Sequence, residues 1–355
     1  MTLKIVSGPE NAPLTPLLNR TVAVLGYGNQ GSAHALNLRD SGLTVLVANR
    51  PDSPNGRRAR QDGFELCEIE QAVAAADLVI IALPDEAQGQ AWRERIGPHL
   101  TGPTIVGFLH GFAIRYRLVE PPPNVGVIMV APKGPGHALR RRYQQGQGIP
   151  CLLAVHQDLR GDPGRCDEVA LAWAGAIGCA RAAIVYTSFA HETETDLFGE
   201  QSVLCGGLMA LIIAAFEQLA EAGYPPELAY MECCQEVKQI ADLVFAGGLA
   251  KMMAAISNTA EFGAYRAGPA LVDEHVRQRM REVLAQVRDG GFAKALRDDY
   301  AAGFPWFQQQ REALRRHPIE QAGQAIRALM PWLGGDAASG AARGVGKPDA
   351  GRTQR

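Results

Sequence analysis

The stretch Thr21-Val-Ala-Val-Leu-Gly-Tyr-Gly-Asn-Gln-Gly31 decides the fold of this 355-residue chain. Its first five residues form a short apolar run of strand type, and a helical pattern follows over about residues 32–40. Between them, Gly26 permits a tight turn, Gly28 lets a pyrophosphate approach the backbone, and Gly31 lets helix and strand pack closely. The stretch therefore predicts the first strand–helix unit of a dinucleotide-binding domain.

Six residues of this loop are candidate contacts for a dinucleotide cofactor. They are Gly26, Tyr27, Gly28, Asn29, Gln30 and Gly31. A bare Gly-x-Gly-x-x-Gly pattern is a weak signal, and its position at a strand–helix junction strengthens it. The alternative is a glycine turn that binds no ligand.

Further apolar runs of strand type follow along the first half of the chain. They are Leu43–Ala48, Asp77–Leu83, Thr104–Leu109, Val125–Val130, Ile149–Val155 and Ala182–Tyr186. Helical patterns separate them, and the runs do not alternate with polar residues. Such runs are typical of a parallel sheet covered by helices on both faces. We therefore expect an α/β fold with an N-terminal Rossmann-type domain over residues 1–188.

The character of the chain changes after Tyr186, where strand patterns give way to Ala-, Leu-, Glu- and Gln-rich helical ones. We expect an all-helical domain over 189–333, in which the apolar window Val203–Phe216 forms a buried helix. The window is too short to span a bilayer. The tail 334–355 is rich in Gly, Ala, Ser and Arg, so we predict that it is disordered.

Composition excludes several classes of partner. The formal net charge of −2 gives no general attraction to nucleic acid or to anionic membranes. Seven cysteines without a Cys-x-x-Cys pair suggest reduced, mostly buried thiols. Residues 1–16 lack the basic and apolar segments of a signal peptide. We therefore expect a cytoplasmic protein that binds neither nucleic acid nor membrane.

The residues after the second predicted strand bear on the choice of dinucleotide. An acidic residue there usually accepts hydrogen bonds from the ribose of NAD, whereas this chain has Arg50 and Ser53, followed by Arg57 and Arg58. Arginine and hydroxyl donors suit a 2′-phosphate, which favours NADPH. Asp52 opposes that preference, and a solvated loop is the alternative explanation of the arginines.

Two pairs of acidic residues lie one helical turn apart among apolar neighbours. They are Asp196 with Glu200 and Glu232 with Glu236. Like charges at this spacing destabilise a helix, and a divalent cation between them removes the penalty. Oxygen ligands without histidine suit Mg²⁺. On spacing alone, exposed helix faces with ordinary acidic residues are the commoner explanation.

Several long motifs now outweigh that explanation, because together they resemble the short class of ketol-acid reductoisomerases. They are Gly26–Asn37, Leu83–Glu86, His110–Phe112, Val130–His137, Glu192–Gly207 and Ile256–Glu261. The similarity runs in order from about residue 20 to Leu333. Departures from the family pattern lie in the cofactor loop, at Asn55 and Gly56, and near Ser257, at Ala255 and Phe262.

The resemblance implies a site with two Mg²⁺ ions and NADPH. It makes Asp196 the ligand that bridges both ions, Glu200 a ligand of one, and Glu232 and Glu236 ligands of the other. Ser257 would orient the substrate. The remaining candidates are His110 and Lys133 at strand ends, Gly136 toward the cofactor, and Glu236 as one possible proton acceptor. For His110 and Lys133, a purely structural role is an equal alternative.

The resemblance also implies an assembly and a reaction. The helical domain of this family is knotted, and two subunits interlock in a homodimer, so that Glu232, Glu236 and Ser257 reach the partner's site. The implied reaction is alkyl migration in 2-acetolactate or 2-aceto-2-hydroxybutanoate, followed by reduction with NADPH, in the biosynthesis of valine, isoleucine and leucine. The alternatives are a related 2-hydroxy-3-keto acid in specialised metabolism, a metal-free β-hydroxyacid dehydrogenase, and an NADPH-binding regulator.

Overall fold

The computed structural model describes residues 3–333, so the tail 334–355 and its predicted disorder lie outside the described residues. Those residues form two compact units, 3–193 and 194–333. The division falls inside a helix that begins at Phe189, just after the predicted domain boundary at residue 188.

The first unit is built on a nine-stranded sheet with the order β1-β9-β8-β7-β6-β5-β2-β3-β4. The strands are β1 Ile5–Val6, β2 Thr21–Leu25, β3 Thr44–Ala48, β4 Leu66–Cys67, β5 Leu78–Ile81, β6 Ile105–Phe108, β7 Gly126–Pro132, β8 Cys151–Gln157 and β9 Ile184–Tyr186. From β2 the chain passes to β3 and β4 on one side of β2, and it then crosses back to β5 on the other side. This reversal is the switch point at which ligands bind in open α/β sheets.

The sheet is mixed, which corrects the expectation of a wholly parallel one. Strands β2 to β7 run parallel, whereas β8 pairs with β7 antiparallel and β1 pairs with β9 antiparallel. A strand buried on both faces shows no sign of its direction in its sequence, because every position is apolar. The two-residue strands β1 and β4 are too short to give a pattern.

Helices cover both faces of this sheet. They are α1 Asn29–Asp40, α2 Pro54–Gln61, α3 Ile69–Ala75, α4 Asp85–Ala91, α5 Phe112–Arg115, α6 Gly136–Gln144 and α7 Arg165–Ala176. Along β2, Val22 and Val24 enter one core with Trp173 of α7, and Ala23 and Leu25 enter the other. The alternating side chains explain why the strand is apolar throughout.

The second unit contains no strand among residues 194–333. Helix α8, Phe189–Gly199, leads into it, followed by α9 Gly206–Glu221, α10 Pro226–Tyr230, α11 Val237–Ala255, α12 Asn258–Leu271, α13 Glu274–Asp289, α14 Gly291–Ala301, α15 Pro305–Arg316 and α16 Pro318–Ala328. Wider π-helical turns lie at Glu200–Leu204 and Met231–Gln235. The all-helical prediction is confirmed, and the knotted path stays a prediction.

The predicted buried helix over Val203–Phe216 is wrong for the single chain. Phe216 is buried in a small core with Tyr230 and Ile319, whereas Leu204 is 66% exposed and Leu211 is 57% exposed. The apolar composition predicts burial, but within the described residues of one chain these side chains remain exposed. By length and composition alone, the helical run Phe189–Glu221 is long and apolar enough to cross a membrane. A single run of this kind is weak evidence for a membrane span.

Candidate active site

The glycine-rich turn after β2 has the geometry that its spacing predicts. Gly26 has φ of +102°, and a Cβ atom there would lie 2.7 Å from Ala82 O. A Cβ on Gly31 would lie 2.3 Å from Gly26 O, so α1 packs directly on the turn. No heavy atom of the described residues lies within 4 Å of a Cβ built on Gly28, where α1 begins. A phosphate can therefore approach the backbone at Gly28.

Tyr27 ties this turn to helix α2 through its side chain. Its hydroxyl donates to Asp62 Oδ2 at 2.7 Å, and its side chain is buried. Burial, reinforced by Asp62, holds the pKa of Tyr27 far above its usual value, so the phenol stays protonated. Arg58 of α2 donates to the carbonyl oxygens of Tyr27 at 2.8 Å and Gly28 at 3.2 Å. Only the backbone of Tyr27 is thus available to a cofactor.

Asn29 and Gln30 join the same turn to the segment after β7. Gln30 Nε2 donates to Gly134 O at 2.8 Å, and Asn29 Oδ1 accepts from His137 N at 3.2 Å. A Cβ on Gly136 would lie 2.0 Å from Asn29 O, so α6 can begin only with glycine this close to α1. Asn29 and Gln30, which we predict to contact the cofactor, therefore hold the turn after β2 against the segment after β7.

Arg50 and Ser53 lie after β3, as the sequence predicts. The Ser53 hydroxyl caps α2, because it accepts from Gly56 N at 2.9 Å and donates to Arg50 O at 2.8 Å. Arg50 and Arg57 are exposed, and Arg57 donates to Asp52 O. Two cations therefore face solvent here, while the hydroxyl proton of Ser53 is already donated.

His110 and Lys133 follow β6 and β7 at the carboxyl edge of the sheet. Lys133 Nζ donates to Glu192 Oε1 at 2.8 Å, and His110 Nε2 lies 3.7 Å from Glu192 Oε2. His110 Nδ1 lies 3.4 Å from Asp85 Oδ2, at the start of α4 after β5. The ends of β6 and β7 thus converge on the Glu192 carboxylate, and the end of β5 contacts His110 beside it.

Glu192 is the functional candidate that the sequence analysis did not single out. Its side chain is 1% exposed, and its Oε2 accepts from Gly111 N at 2.9 Å. A buried carboxylate is stabilised as an anion when an ammonium group and a backbone N–H both donate to it. The signal was present in the sequence, because Glu192 precedes Asp196 by the same one-turn spacing that drew attention to Glu200.

Asp196 continues the acidic face of α8. The ligand oxygens of Glu192 and Asp196 lie within 4.8 Å of each other, a separation that one hard cation can span. Glu200 follows one turn later and is exposed. Three carboxylates therefore project at successive turns of one helical stretch.

The other three predicted site residues lie farther along the second unit. Glu232 is in the π-helical turn, Glu236 precedes α11, and both are exposed. Within residues 3–333 of one chain, they form no metal-ligating group with Asp196 or Glu200. Ser257 is exposed and caps α12, accepting from Ala260 N at 3.2 Å. The single chain therefore does not assemble the full predicted ligand set.

Two family models match consecutive parts of the chain. The NADPH-binding domain of acetohydroxy acid isomeroreductase matches residues 16–183, and the C-terminal domain of ketol-acid reductoisomerase matches residues 189–332. The chain belongs to the ketol-acid reductoisomerase family. Its sheet unit is the domain that binds the nicotinamide cofactor. The sequence motifs predict a ketol-acid reductoisomerase, and this prediction is confirmed.

Solved structures agree with this family. A structure of an NADH-preferring ketol-acid reductoisomerase from an uncultured archean is 42% identical, with a TM-score of 0.89, and the match covers 92% of this chain and 99% of that one. A semialdehyde dehydrogenase NAD-binding protein from Cupriavidus necator is 20% identical, with a TM-score of 0.58, over 77% of this chain and 99% of that one. At that identity the likeness concerns the fold alone.

The lysines of the helical unit distinguish a ketol-acid reductoisomerase from a metal-free β-hydroxyacid dehydrogenase, which would need a catalytic lysine there. Lys238 pairs with Asp242 on the surface of α11, and Lys294 pairs with Asp298 at 2.5 Å on the surface of α14. Both are ordinary exposed pairs one helical turn apart. The third lysine of this unit, Lys251, is exposed on α11.

Proposed function

We propose that the chain converts 2-acetolactate or 2-aceto-2-hydroxybutanoate into the 2,3-dihydroxy-3-methyl carboxylate, by Mg²⁺-dependent alkyl migration and reduction with NADPH. The observation that carries this proposal is the buried carboxylate of Glu192. Gly111 N, after β6, and Lys133 Nζ, after β7, donate to this carboxylate. Glu192 lies one helical turn before Asp196. A site for a simple binding protein has no need of such a group.

The donor set fits Mg²⁺. Carboxylate oxygens of Glu192 and Asp196 lie within 4.8 Å of each other, and Glu200 follows one turn later in the sequence. Mg²⁺ accepts a few carboxylates while it retains water. With Mg²⁺ bound, these residues would hold a Lewis acid that lowers the pKa of the tertiary hydroxyl and polarises the ketone of the substrate. We assign Asp196, Glu200, Glu232 and Glu236 as its ligands, with Glu192 as a further carboxylate of the same face.

The residues at the strand ends act on the substrate and on Glu192. Lys133 fixes the orientation of the Glu192 carboxylate through the 2.8 Å contact. His110, held near Asp85, is within reach to donate to a substrate oxygen at the carboxyl edge of the sheet. The Ser257 hydroxyl accepts from the Ala260 N–H and can donate its own proton to the substrate carboxylate.

The cofactor site favours NADPH through charge. Arg50 and Arg57 present two exposed cations after β3, where the 2′-substituent of the adenosine ribose lies in folds of this type. Asp52 opposes a phosphate there, and the Ser53 proton is donated to Arg50 O. We therefore propose a preference for NADPH with measurable use of NADH, a cofactor that the archaeal relative prefers.

The second unit supports a homodimer whose site is shared between subunits. Large exposed apolar side chains there include Leu204, Leu211, Phe245, Leu249, Phe262, Tyr265, Leu271 and Trp306. Large apolar side chains exposed in such number on one helical unit indicate a surface for association with another chain. We propose that a second copy of this chain covers it, which also brings the partner's Glu232, Glu236 and Ser257 to the acidic face of α8.

The direct test follows NADPH oxidation with 2-acetolactate, with and without Mg²⁺, and compares NADH under the same conditions. We expect turnover only with Mg²⁺ and a lower KM for NADPH than for NADH. Turnover in excess chelator would replace the proposal with a simple dehydrogenase. A lower KM for NADH would reject the cofactor preference alone.

A further inference from the structure

Helix α11 contains a residue whose backbone is not helical. Gly248 has φ of +76° and ψ of 175°, and the helix is kinked there. This backbone conformation is essentially restricted to glycine, and it persists only where the surrounding structure demands it. Such conformations cluster at functional sites, so the kink calls for a functional explanation.

The kink differs from the other positive-φ glycines of the helical unit. Gly223, Gly290 and Gly303 also have positive φ, but each lies between two helices, where glycine commonly ends a helix. Gly248 instead lies inside a helix. No heavy atom of the described residues lies within 4 Å of a Cβ built on Gly248. Glycine is therefore required at this position for its conformation and not for space.

Two proposed site residues lie at the ends of this helix. Glu236 precedes α11, and Ser257 follows it. In a straight helix their Cα atoms would be about 30 Å apart, at about 1.5 Å per residue. The ions of a two-metal site lie only about 4 Å apart, so residues that serve one such site must lie much closer together. If one site uses both residues, the helix must bend between them.

Gly248 is where this bend occurs. Among the described residues 237–255, it is the one whose backbone departs from helical geometry. A second bend, of 105°, lies between the helical path that ends with α11 and helix α12. That bend adjoins Ser257, so it redirects α12 without bringing Ser257 nearer to Glu236.

We infer that Gly248 is a positioning residue, whose kink lets Glu236 and Ser257 of one chain reach the same active site. The inference rests on the proposed function, which assigns Glu236 to the metal and Ser257 to the substrate. Gly248 has no side chain to offer to either ligand, and it acts only through the path of α11.

Gly248→Ala tests the role of the conformation, and Gly303→Ala is its matched control. Each replaces a positive-φ glycine at which an added Cβ meets no described residue within 4 Å. Gly248→Ala should lower kcat/KM for 2-acetolactate by about a hundredfold, since a displacement of about 1 Å can cost that much. Gly303→Ala should keep the wild-type value. Both variants should keep the wild-type Kd for NADPH and the wild-type oligomeric state in sedimentation.

A double-mutant cycle separates positioning from a general loss of structure. Ser257→Ala should lower kcat/KM by about tenfold in the wild type, because it removes a hydrogen bond to a charged group of the substrate. In the Gly248→Ala background the same change should cost little, since Ser257 is already displaced. Equal costs in both backgrounds would overturn the inference. Wild-type activity of Gly248→Ala, or loss of its NADPH binding or oligomeric state, would also overturn it.

Subunit mixing gives a test that does not depend on how Gly248→Ala folds. Ser257→Asp keeps a residue that can cap α12 but repels the substrate carboxylate, and Glu236→Gln removes a proposed metal ligand. Both homodimers should be inactive. An equal mixture, refolded together, should also be inactive, because each site of a mixed dimer receives one defect. Recovery of about a quarter of the wild-type activity would place the two residues in different sites and would overturn the inference.

Failure of the proposed function gives a different result. Asp196→Asn mixed with Glu236→Gln in the same way reports on sharing between subunits. Activity in neither mixture, with mixed dimers confirmed by mass spectrometry, would remove that sharing from the proposed function and would support one site for Glu236 and Ser257. Wild-type activity of Ser257→Ala or of Glu236→Gln would reject the assignments themselves, and the inference would fall with them.

Discussion

The buried Glu192 carboxylate is the residue on which the site depends most. Its charge is balanced by Lys133 and by the Gly111 N–H. Glu192→Gln retains the shape but leaves the lysine without its anion. We expect kcat to fall by about ten- to a hundredfold, since changes to groups that support metal ligands typically cost that much activity. Steady-state kinetics with 2-acetolactate checks this result.

The control for that substitution is Glu65→Gln, which removes an exposed carboxylate from the same unit. It should leave kcat unchanged. The affinity of Glu192→Gln for NADPH should also equal that of the wild type, because Gly111 and Lys133, which donate to Glu192, follow β6 and β7 rather than β2. A fully active Glu192→Gln enzyme would remove Glu192 from the mechanism.

His34 makes folding of the sheet unit sensitive to acid. It is fully buried, and its Nδ1 accepts from Trp173 Nε1 at 3.1 Å. Burial lowers the pKa of His34 to about 3, well below its value in an unfolded chain. Between pH 6.5 and about 3 the unfolded state binds the additional proton, so stability is lost as the pH falls through this window.

We expect the free energy of unfolding to lose up to about 1.4 kcal/mol per pH unit there through His34 alone. Urea unfolding of the wild type and His34→Gln, at pH 7.5 and 5 and at one protein concentration, isolates this contribution. The glutamine does not titrate, so the variant should lose less stability on acidification. Equal losses in the two proteins would show that His34 is not the sensitive group.

At the scale of elements, the junction between α2 and the glycine-rich turn controls cofactor binding. Arg58 donates to the carbonyl oxygens of Tyr27 and Gly28 and so holds the turn with its N–H groups toward the ligand. Arg58→Ala should raise the Kd for NADPH by about tenfold or more, since a hydrogen bond from a charged group contributes about 1.5–3 kcal/mol. Fluorescence titration measures this Kd.

Arg60→Ala is the control for Arg58→Ala, because Arg60 lies on the exposed side of the same helix. It should bind NADPH with nearly the wild-type Kd, and Arg58→Lys should fall between the two. If Arg58→Ala and Arg60→Ala were equally weak, only general positive charge would matter, and the proposed role of the Arg58 hydrogen bonds would be wrong.

Elements differ in how far their sequences predict them. The β2–turn–α1 unit was predictable because a Cβ atom at Gly26 or Gly31 would clash with a backbone carbonyl oxygen. The direction of β8 was not, since its apolar residues 151–155 fit either pairing. The π-helical turns were also hidden in the sequence. The sequence did not distinguish Glu192, because a pair of acidic residues one turn apart does not indicate that a third carboxylate one turn earlier belongs to the same site.

At the scale of the whole molecule, the apolar surface of the helical unit implies that one chain is incomplete. Phe245 is 86% exposed, and Leu249 is 69% exposed. The family resemblance could predict a shared site, whereas hydrophobic periodicity could not, because it shows that a face is apolar but not which chain covers it. The exposure of Glu232 and Glu236 in the single chain is consistent with a site completed by the partner.

Subunit mixing tests this sharing. Asp196→Asn and Glu236→Gln should each be inactive as homodimers. If the two residues serve one site from different chains, refolding an equal mixture should restore about a quarter of the wild-type activity, since half of the dimers are mixed and each has one intact site. Activity that stays at zero, with mixed dimers confirmed by mass spectrometry, would place both residues in the same chain's site.

In the proposed reaction, carboxylates on one helical face, with metal, move an alkyl group before the ketone is reduced. Proton NMR of the product from 2-acetolactate, NADPH and Mg²⁺ distinguishes this order from simple reduction. We expect 2,3-dihydroxy-3-methylbutanoate, whose two methyl groups give singlets, and no product when the metal is chelated. A methyl doublet from 2,3-dihydroxy-2-methylbutanoate would show reduction without migration and would contradict the proposed reaction.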